Sequence, residues 1–385
     1  MGRGALRSRR MASDPAFDKI FGLAYELSRG GRDRDAERLY RLLIDRAPEH
    51  PETSVARVLY NLGMLYRRVG RVEEAVEPLR RAAGLDPENP WVRFALGMVL
   101  LSLGRFEEGW PYYEARGEFP QAQGGRPAGV PEWRGQDLRG KSLLIIREQG
   151  FGDEIQFARF APVLKGMGAE VLLLCAPSLE RLFRHSLDVA VRGAEGKLAL
   201  QATHYWVQGC SIPRWLGIGL ESIPGDPYLS AISPRPKPGG ALRVGLVTKG
   251  SASHYNDAAR SMPEAAAAAL RALPAEIVGL TPEELGARDF ADTADVIASL
   301  DVVVTVDTAV AHLAGALGAA CWVMLPFANT DWRWLRDRTD SPWYRSVRLY
   351  RQPALGDWDS VIRSISHDLE ALRRERGLSA VAARP

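Results

Sequence analysis

The chain has 385 residues, 46% of them hydrophobic and 25% charged, with a formal net charge of +3. That is the balance of an ordinary soluble protein with room for two or three domains, each with its own core. The charge is too slight to argue for nucleic acid. Cys175, Cys210 and Cys321 stand too far apart for a disulfide framework or a zinc site, and a buried thiol is the expected state of the first two. No apolar run approaches the roughly 20 residues of a membrane span. The basic opening MGRGALRSRR lacks the apolar stretch of a secretory signal. The expected compartment is the cytoplasm, and no cofactor is expected. Residues 1–16 read as a disordered extension, in which Met11 offers an alternative start.

Residues 17–119 repeat themselves. VLYNLGMLYRRVGRVEEAVEPLRRAAGLDPENP aligns with VRFALGMVLLSLGRFEEGWPYYEAR, so that Leu62-Gly63 answers Leu96-Gly97 at a step of 34 residues. An earlier, weaker unit carries Phe17, Ala24, Ala36, Tyr40 and Pro48. Small residues at Gly63 and Ala75 let the two helices of a hairpin approach, and apolar residues three and four apart bury one face. Proline in DPENP stops the second helix. The spacing and the residues at Leu59, Leu62, Gly63, Tyr66, Ala75, Leu79, Ala82 and Pro87 resemble the tetratricopeptide repeat. The last unit has Gly109 where the signature carries alanine. About three such units are the least that stack into a core, and their concave face commonly binds protein.

Residues 120–137 are rich in Gly and Pro and read as a linker in which Trp133 anchors the chain. After Gly140 strands alternate with helices: KSLLIIRE, then GDEIQFARFAPVLKGMG, then AEVLLLCA, PSLERLFRH and THYWVQG. The prolines and glycines of 230–241 divide this from a second series that starts at LRVGLVTKG. The expected fold is α + α/β. Helical hairpins come first, then two Rossmann-like units, at 138–236 and 237–385, with a cleft outside the carboxyl ends of their strands.

Two turns carry the chemistry. In REQGFGDEIQF a strand runs through a Gly-rich turn into a helix that opens on Asp153. A carboxylate there either caps the helix or serves as a base at the mouth of a cleft. In VVVTVDTAVAHLAGALG a strand ends at Asp307 and a helix begins beside Thr308. The free N–H groups of that turn, with the helix dipole, make an anion site. His312 lies one turn on, either facing the cleft or buried and hydrogen-bonded. Neither GxGxxG nor a Walker loop occurs, which argues against dehydrogenases and P-loop NTPases. Asp289, Asp292, Asp295 and Asp301 read as solvated positions rather than a metal cluster.

DTAVAHLAGALG resembles the donor motif of heptosyltransferase-like glycosyltransferases, which have a two-Rossmann B-type fold. EQGFGDEIQF resembles that family's N-terminal Gly-Asp motif. DWRWL, SPWYRSVRLYRQ and DWDSVI are similar to stretches of the bacterial tetratricopeptide-repeat glycosyltransferases. The resemblance covers about residues 138–370. It implies Asp153 as catalytic base and Asp307, Thr308 and His312 at the donor phosphates. Lys249, Ser251 and Arg260 would lie near the donor diphosphate. Some relatives of that layout modify flagellin, so the implied partners are a nucleotide-sugar donor and a protein acceptor, flagellin-like, held by the repeats. Two positions depart from the pattern. Ala309 replaces a glycine and allows less close backbone approach, and TKGS replaces Trp-Ala-Gly.

The implied function is a metal-independent, inverting glycosyl transfer in which Asp153 takes the acceptor proton and the Thr308 helix start, Lys249 and Arg260 stabilise the leaving group. The competing reading, which the altered TKGS loop motivates, is an inactive repeat scaffold that still binds a nucleotide sugar. Transfer or donor hydrolysis by the purified protein separates the two.

Overall fold

The computed structural model describes residues 14–47, 50–120, 125–196, 202–237, 239–252 and 256–377. Pro48, residues 1–13 of the expected extension, 121–124 of the expected linker and 253–255 of the TKGS loop lie outside them. The chain forms two compact units, 1–119 and 120–385.

The first unit is a row of helical hairpins: α1 (Pro15–Arg29) with α2 (Asp33–Asp45), α3 (Glu52–Arg68) with α4 (Val72–Leu85), and α5 (Pro90–Ser102) with α6 (Phe106–Tyr113). The first helix starts at Pro15, two residues before the expected repeat. Asp14 accepts the Ala16 N–H at 2.8 Å and caps it, and proline suits the first turn. The signature positions from Leu59 to Ala82 are buried for the expected reason, while Pro87 is exposed. A Cβ on Gly63 would lie 2.6 Å from Leu79 Cγ, and one on Gly97 2.6 Å from the Tyr113 nitrogen. Gly109 is also a contact point, because a Cβ there would come within 2.9 Å of the Leu101 side chain. One apolar core runs through the hairpins from Phe17 to Leu100.

In the second unit β1 (Ser142–Ile146) is followed by α7 (Phe151–Ala158), α8 (Phe160–Gly166), β2 (Glu170–Cys175), α9 (Pro177–Ser186), β3 (Ala190–Gly193), β4 (Tyr205–Gln208) and α10 (Ile212–Trp215). These strands form a parallel sheet in the order β3-β2-β1-β4. Then come β5 (Arg243–Val247), α11 (Asp257–Arg260), α12 (Glu264–Arg271), β6 (Glu276–Gly279), α13 (Pro282–Leu285) and α14 (Phe290–Ile297). β7 (Val302–Val306), α15 (Ala309–Ala316), β8 (Cys321–Leu325), β9 (Val347–Arg351) and α16 (Trp358–Glu375) complete the chain. The second sheet is also parallel, in the order β6-β5-β7-β8-β9. Strands such as VVVTV are buried throughout, as a sheet covered on both faces requires. Helical repeats followed by two parallel α/β sheets are the expected fold class.

Some local expectations change. The segment read as a linker is tied to the first sheet near its end. Trp133 is fully buried, its amide donates to the Trp206 carbonyl at 2.7 Å, and Trp206 returns a bond to Pro131. The crossing to the second series comes before residue 237. Tyr228 and Leu229 already donate to the Ala316 carbonyl, and Ser233 donates to Asp295 at 2.8 Å. Asp295 is therefore a buried anchor rather than a solvated residue, and Asp289 and Asp292 both accept from Arg181 of α9. The short strands β3 and β9 carry no clear period-2 pattern and were not expected. Cys175, Cys210 and Cys321 are free and buried. Among the described residues no helix is long and apolar enough to cross a membrane.

Candidate functional site

Strand order places the site. In the first sheet the chain leaves β1 for β2 on one side and later returns with β4 on the other. In the second, β6 and β7 flank β5 in the same way. The loops after β1, β5 and β7 therefore lie at topological switch points, where open α/β sheets bind ligands. These loops carry Asp153, the TKGS segment and Asp307-Thr308.

The turn after β1 is held by its own acids. Gln149 adopts φ 58°, a conformation uncommon outside glycine that must be held by its surroundings. Glu148 accepts the Cys210 N–H at 2.7 Å, which ties the turn to the end of β4. Glu154 accepts the Ala176 N–H at 2.7 Å, which ties it to the end of β2, and pairs with Arg147 at 3.0 Å. Asp153 reaches back to accept the Gly150 N–H at 2.9 Å. It thus caps α7, one of the two roles weighed from sequence. Its other oxygen accepts from Arg333. Burial pushes the Asp153 carboxyl above its usual range, and Arg333 pulls against that without cancelling it.

The start of α15 lies against this turn. A Cβ on Gly152 would meet His312 Cδ2 at 2.8 Å and the Ala309 Cα at 3.7 Å. His312 is buried; its Nδ1 shares a hydrogen bond with the Tyr344 hydroxyl at 2.9 Å, and its ring stacks on Trp334 at 5.2 Å. Burial keeps the ring neutral, with a pKa lowered to about 3. Thr308 begins the helix without capping it by its side chain, since its hydroxyl meets Thr305 at 3.1 Å. Burial, and then the charge of Asp331, pushes the Asp307 carboxyl up.

Arg260 is buried and links two of the switch-point loops. Its Nη1 donates to the Asp307 carbonyl at 2.8 Å and its Nε to Asp257 at 3.3 Å. Ser251 meets Arg260 through its backbone carbonyl at 3.5 Å. Lys249 is exposed and pairs with Glu264 at 3.2 Å. Of the residues singled out by sequence, Asp153, Asp307, Thr308, His312 and Arg260 are brought together; Lys249 points to Glu264.

Sequence reasoning missed Arg333 and Asp331, which stand in DWRWL. Arg333 is buried. It donates to Asp153, to both oxygens of Asp331 at 3.0 and 3.1 Å, and to Gln156 Oε1 at 2.5 Å. An arginine set between two tryptophans was the available signal, because a charge inside an apolar run has to find a partner. The cavity beside Asp153, of about 20 Å³, is large enough for about one water. In the first unit a groove of about 360 Å³ is lined by Arg57, Tyr60, Asn61, Asn89 and the exposed Trp91.

Comparison with known proteins matches residues 21–90 and 60–122 to the tetratricopeptide repeat model. Protein FlbA of Caulobacter vibrioides is 29% identical over 362 residues, which cover 77% of this chain and 58% of that protein; the chain thus spans less than two thirds of that relative's length. Among solved structures, the Yersinia enterocolitica type III secretion chaperone SycD in complex with a peptide of the translocator YopD is similar at 19% identity. It covers 29% of this chain and 84% of its own, with a TM-score of 0.25. A glycosyl transferase family 9 structure from Veillonella parvula is similar at 9% identity, over 62% of this chain and 99% of its own, with a TM-score of 0.44. The chain joins tetratricopeptide repeats to an α/β region of two parallel sheets.

Proposed function

We propose that the second unit is a glycosyltransferase which moves a sugar from a nucleotide-sugar donor to an acceptor hydroxyl with inversion. The observation that carries this reading is the meeting of two helix starts at Gly152 and His312. One start bears a carboxylate whose proton affinity is raised by burial, and the other has no capping side chain. The donor diphosphate binds at the bare start of α15, where backbone N–H groups and the helix dipole favour an anion. Asp153 accepts the acceptor proton as the hydroxyl oxygen bonds to the anomeric carbon. The bond to the diphosphate breaks, and its charge is received by α15 and Arg260. No metal takes part in this scheme. The acceptor is a protein, of flagellin-like type, held by the repeats.

A second reading has an observation of its own. Both Asp153 oxygens already accept hydrogen bonds, from Gly150 and Arg333, which suits a scaffold that binds a donor and transfers nothing. Purified protein given a panel of labelled nucleotide sugars separates the two. Transfer or donor hydrolysis that falls about 10²–10⁴-fold in Asp153→Asn, with donor affinity little changed, supports the transferase. Donor binding with no turnover in either protein supports the scaffold. Deletion of residues 1–119 tests the repeats, and is expected to abolish protein glycosylation while sugar-nucleotide binding persists.

A further inference from the structure

Arg333 lies on the loop after β8, and the transfer scheme above gives it no part. We propose that Arg333 is the positioning residue of the Asp153 base, holding that carboxylate ionised and fixed in direction for the acceptor hydroxyl; the inference rests on the glycosyl-transfer reading.

The geometry is that of a divided fork. One guanidinium edge faces Asp153, a second faces Asp331, and Nε faces Gln156 Oε1 at 2.5 Å. Asp331 also accepts the Arg333 backbone N–H at 3.0 Å, so the arginine is held at both ends. The guanidinium lies 4.6 Å from the Trp332 ring centroid and 5.6 Å from that of Phe157, which limits its swing. Leu335, at φ 53°, and Asp337, at φ 52°, follow in a backbone region that non-glycine residues rarely occupy. Trp334, just before them, gives its carbonyl to Arg351 at 2.6 Å. Such a loop keeps its shape only because the surroundings impose it, and here the shape delivers one cation.

The charges around Asp153 make that cation decisive. From the loop after β8 it faces Arg333 and Asp331, and from its own turn Glu148. Glu154 is turned away to Arg147 and the Ala176 N–H. His312, from α15, is neutral. Asp307, at the end of β7, adds a further acid that feels Asp331 and Arg333. Without Arg333 this carboxylate would keep the Gly150 N–H but otherwise face acids, and its proton affinity would rise further. Gln156, fully buried, orients the fork but brings no charge.

The test reads the proton directly and needs no substrate. Asp-selective ¹³C-labelled protein is titrated by NMR, with the Asp153 signal assigned through Asp153→Asn. Arg333→Gln is expected to raise the Asp153 midpoint by about 1–3 pH units, the usual influence of a close opposite charge. Arg333→Lys keeps the charge without the fork and should fall between. Asp331→Asn removes an opposing acid and should lower the midpoint. An unchanged midpoint in Arg333→Gln overturns the proposal. Should that variant not fold, an unmoved midpoint in both Arg333→Lys and Asp331→Asn overturns it equally. In an active preparation the acid limb of kcat/KM should move with the NMR midpoint. If the midpoint moves as expected and Asp153→Asn still transfers at the wild-type rate, the electrostatic pairing is supported and the base role of Asp153 falls.

Discussion

The helix starts of α7 and α15 lie against each other and solve the same problem in opposite ways. Each leaves backbone N–H groups without intrahelical partners. At α7 the chain supplies its own anion, with Asp153 accepting the Gly150 N–H at 2.9 Å. At α15 the residue placed to cap, Thr308, bonds Thr305 instead, so the turn has no capping side chain. One start is capped from within, and the other has no side-chain cap, which is why the donor diphosphate is proposed there. Asp153 stands in the first turn of α7 and can reach back to the Gly150 N–H, whereas Asp307 and Thr308 come before α15 and their side chains are engaged elsewhere or do not cap, so the two starts end differently.

Four substitutions break or sharpen this contrast. The largest effect on ligand binding is expected at the open start. Arg260→Ala removes a buried cation whose Nη1 holds the Asp307 carbonyl at 2.8 Å. Donor affinity should fall by about 1.5–3 kcal/mol, the worth of a hydrogen bond to a charged group, as read by calorimetry. Unchanged affinity would place the diphosphate elsewhere. Gly152→Ala wedges the two starts apart, since its Cβ would meet His312 Cδ2 at 2.8 Å and that ring is held by Tyr344 and Trp334. Urea unfolding should show a loss of about 1–3 kcal/mol, the usual range for overpacking. A wild-type midpoint would mean that the two helices slide freely.

The third concerns pH. His312 has a folded pKa near 3, so between that value and its ordinary 6.5 the unfolded chain binds the extra proton. Stability is then lost as pH falls below 6.5, by up to about 1.4 kcal/mol per pH unit from this group. Asp153 and Asp307, with raised carboxyl pKa values, act in the opposite sense and lose stability as pH rises through their folded values. The histidine is isolated by difference. From pH 6.5 to 5.5 the wild type should lose about 1 kcal/mol more than His312→Asn, by urea unfolding at both pH values. Parallel losses would mean that the folded ring takes up the proton. The smallest effect is expected for Lys249→Ala. Its exposed pair with Glu264 is screened by water and contributes little, and donor affinity should stay within a few-fold of wild type. A large loss would show that the lysine swings into the site on binding.

The repeats were legible because their information is local. A 34-residue step, small residues at Gly63 and Gly97 and apolar residues a turn apart describe hairpins whose partners are the next helices in the chain. The strand–turn–helix units around Asp153 and Thr308 were legible for a related reason, since each is one short stretch with its own period change and turn residues. Arg333 was not. Its partners Asp153 and Gln156 lie on the first sheet's side of the chain, 180 and 177 positions away. Nothing in DWRWL says which acid the arginine will find. Lys249 is the converse case: its motif position implies a phosphate contact, and its ammonium pairs with Glu264 of α12 at 3.2 Å, a partner the sequence does not announce.

Residue type and spacing alone therefore determined the repeats, the two α/β series and the turns that carry Asp153 and Thr308, because hydrophobic period and turn chemistry act over a few residues. Tertiary structure alone decided which start is capped and which stays open, that His312 is buried and neutral, and that a distant arginine sets the charge beside Asp153. Those outcomes depend on burial and on charges that meet only when two sheets pack, and both strengthen as water is excluded.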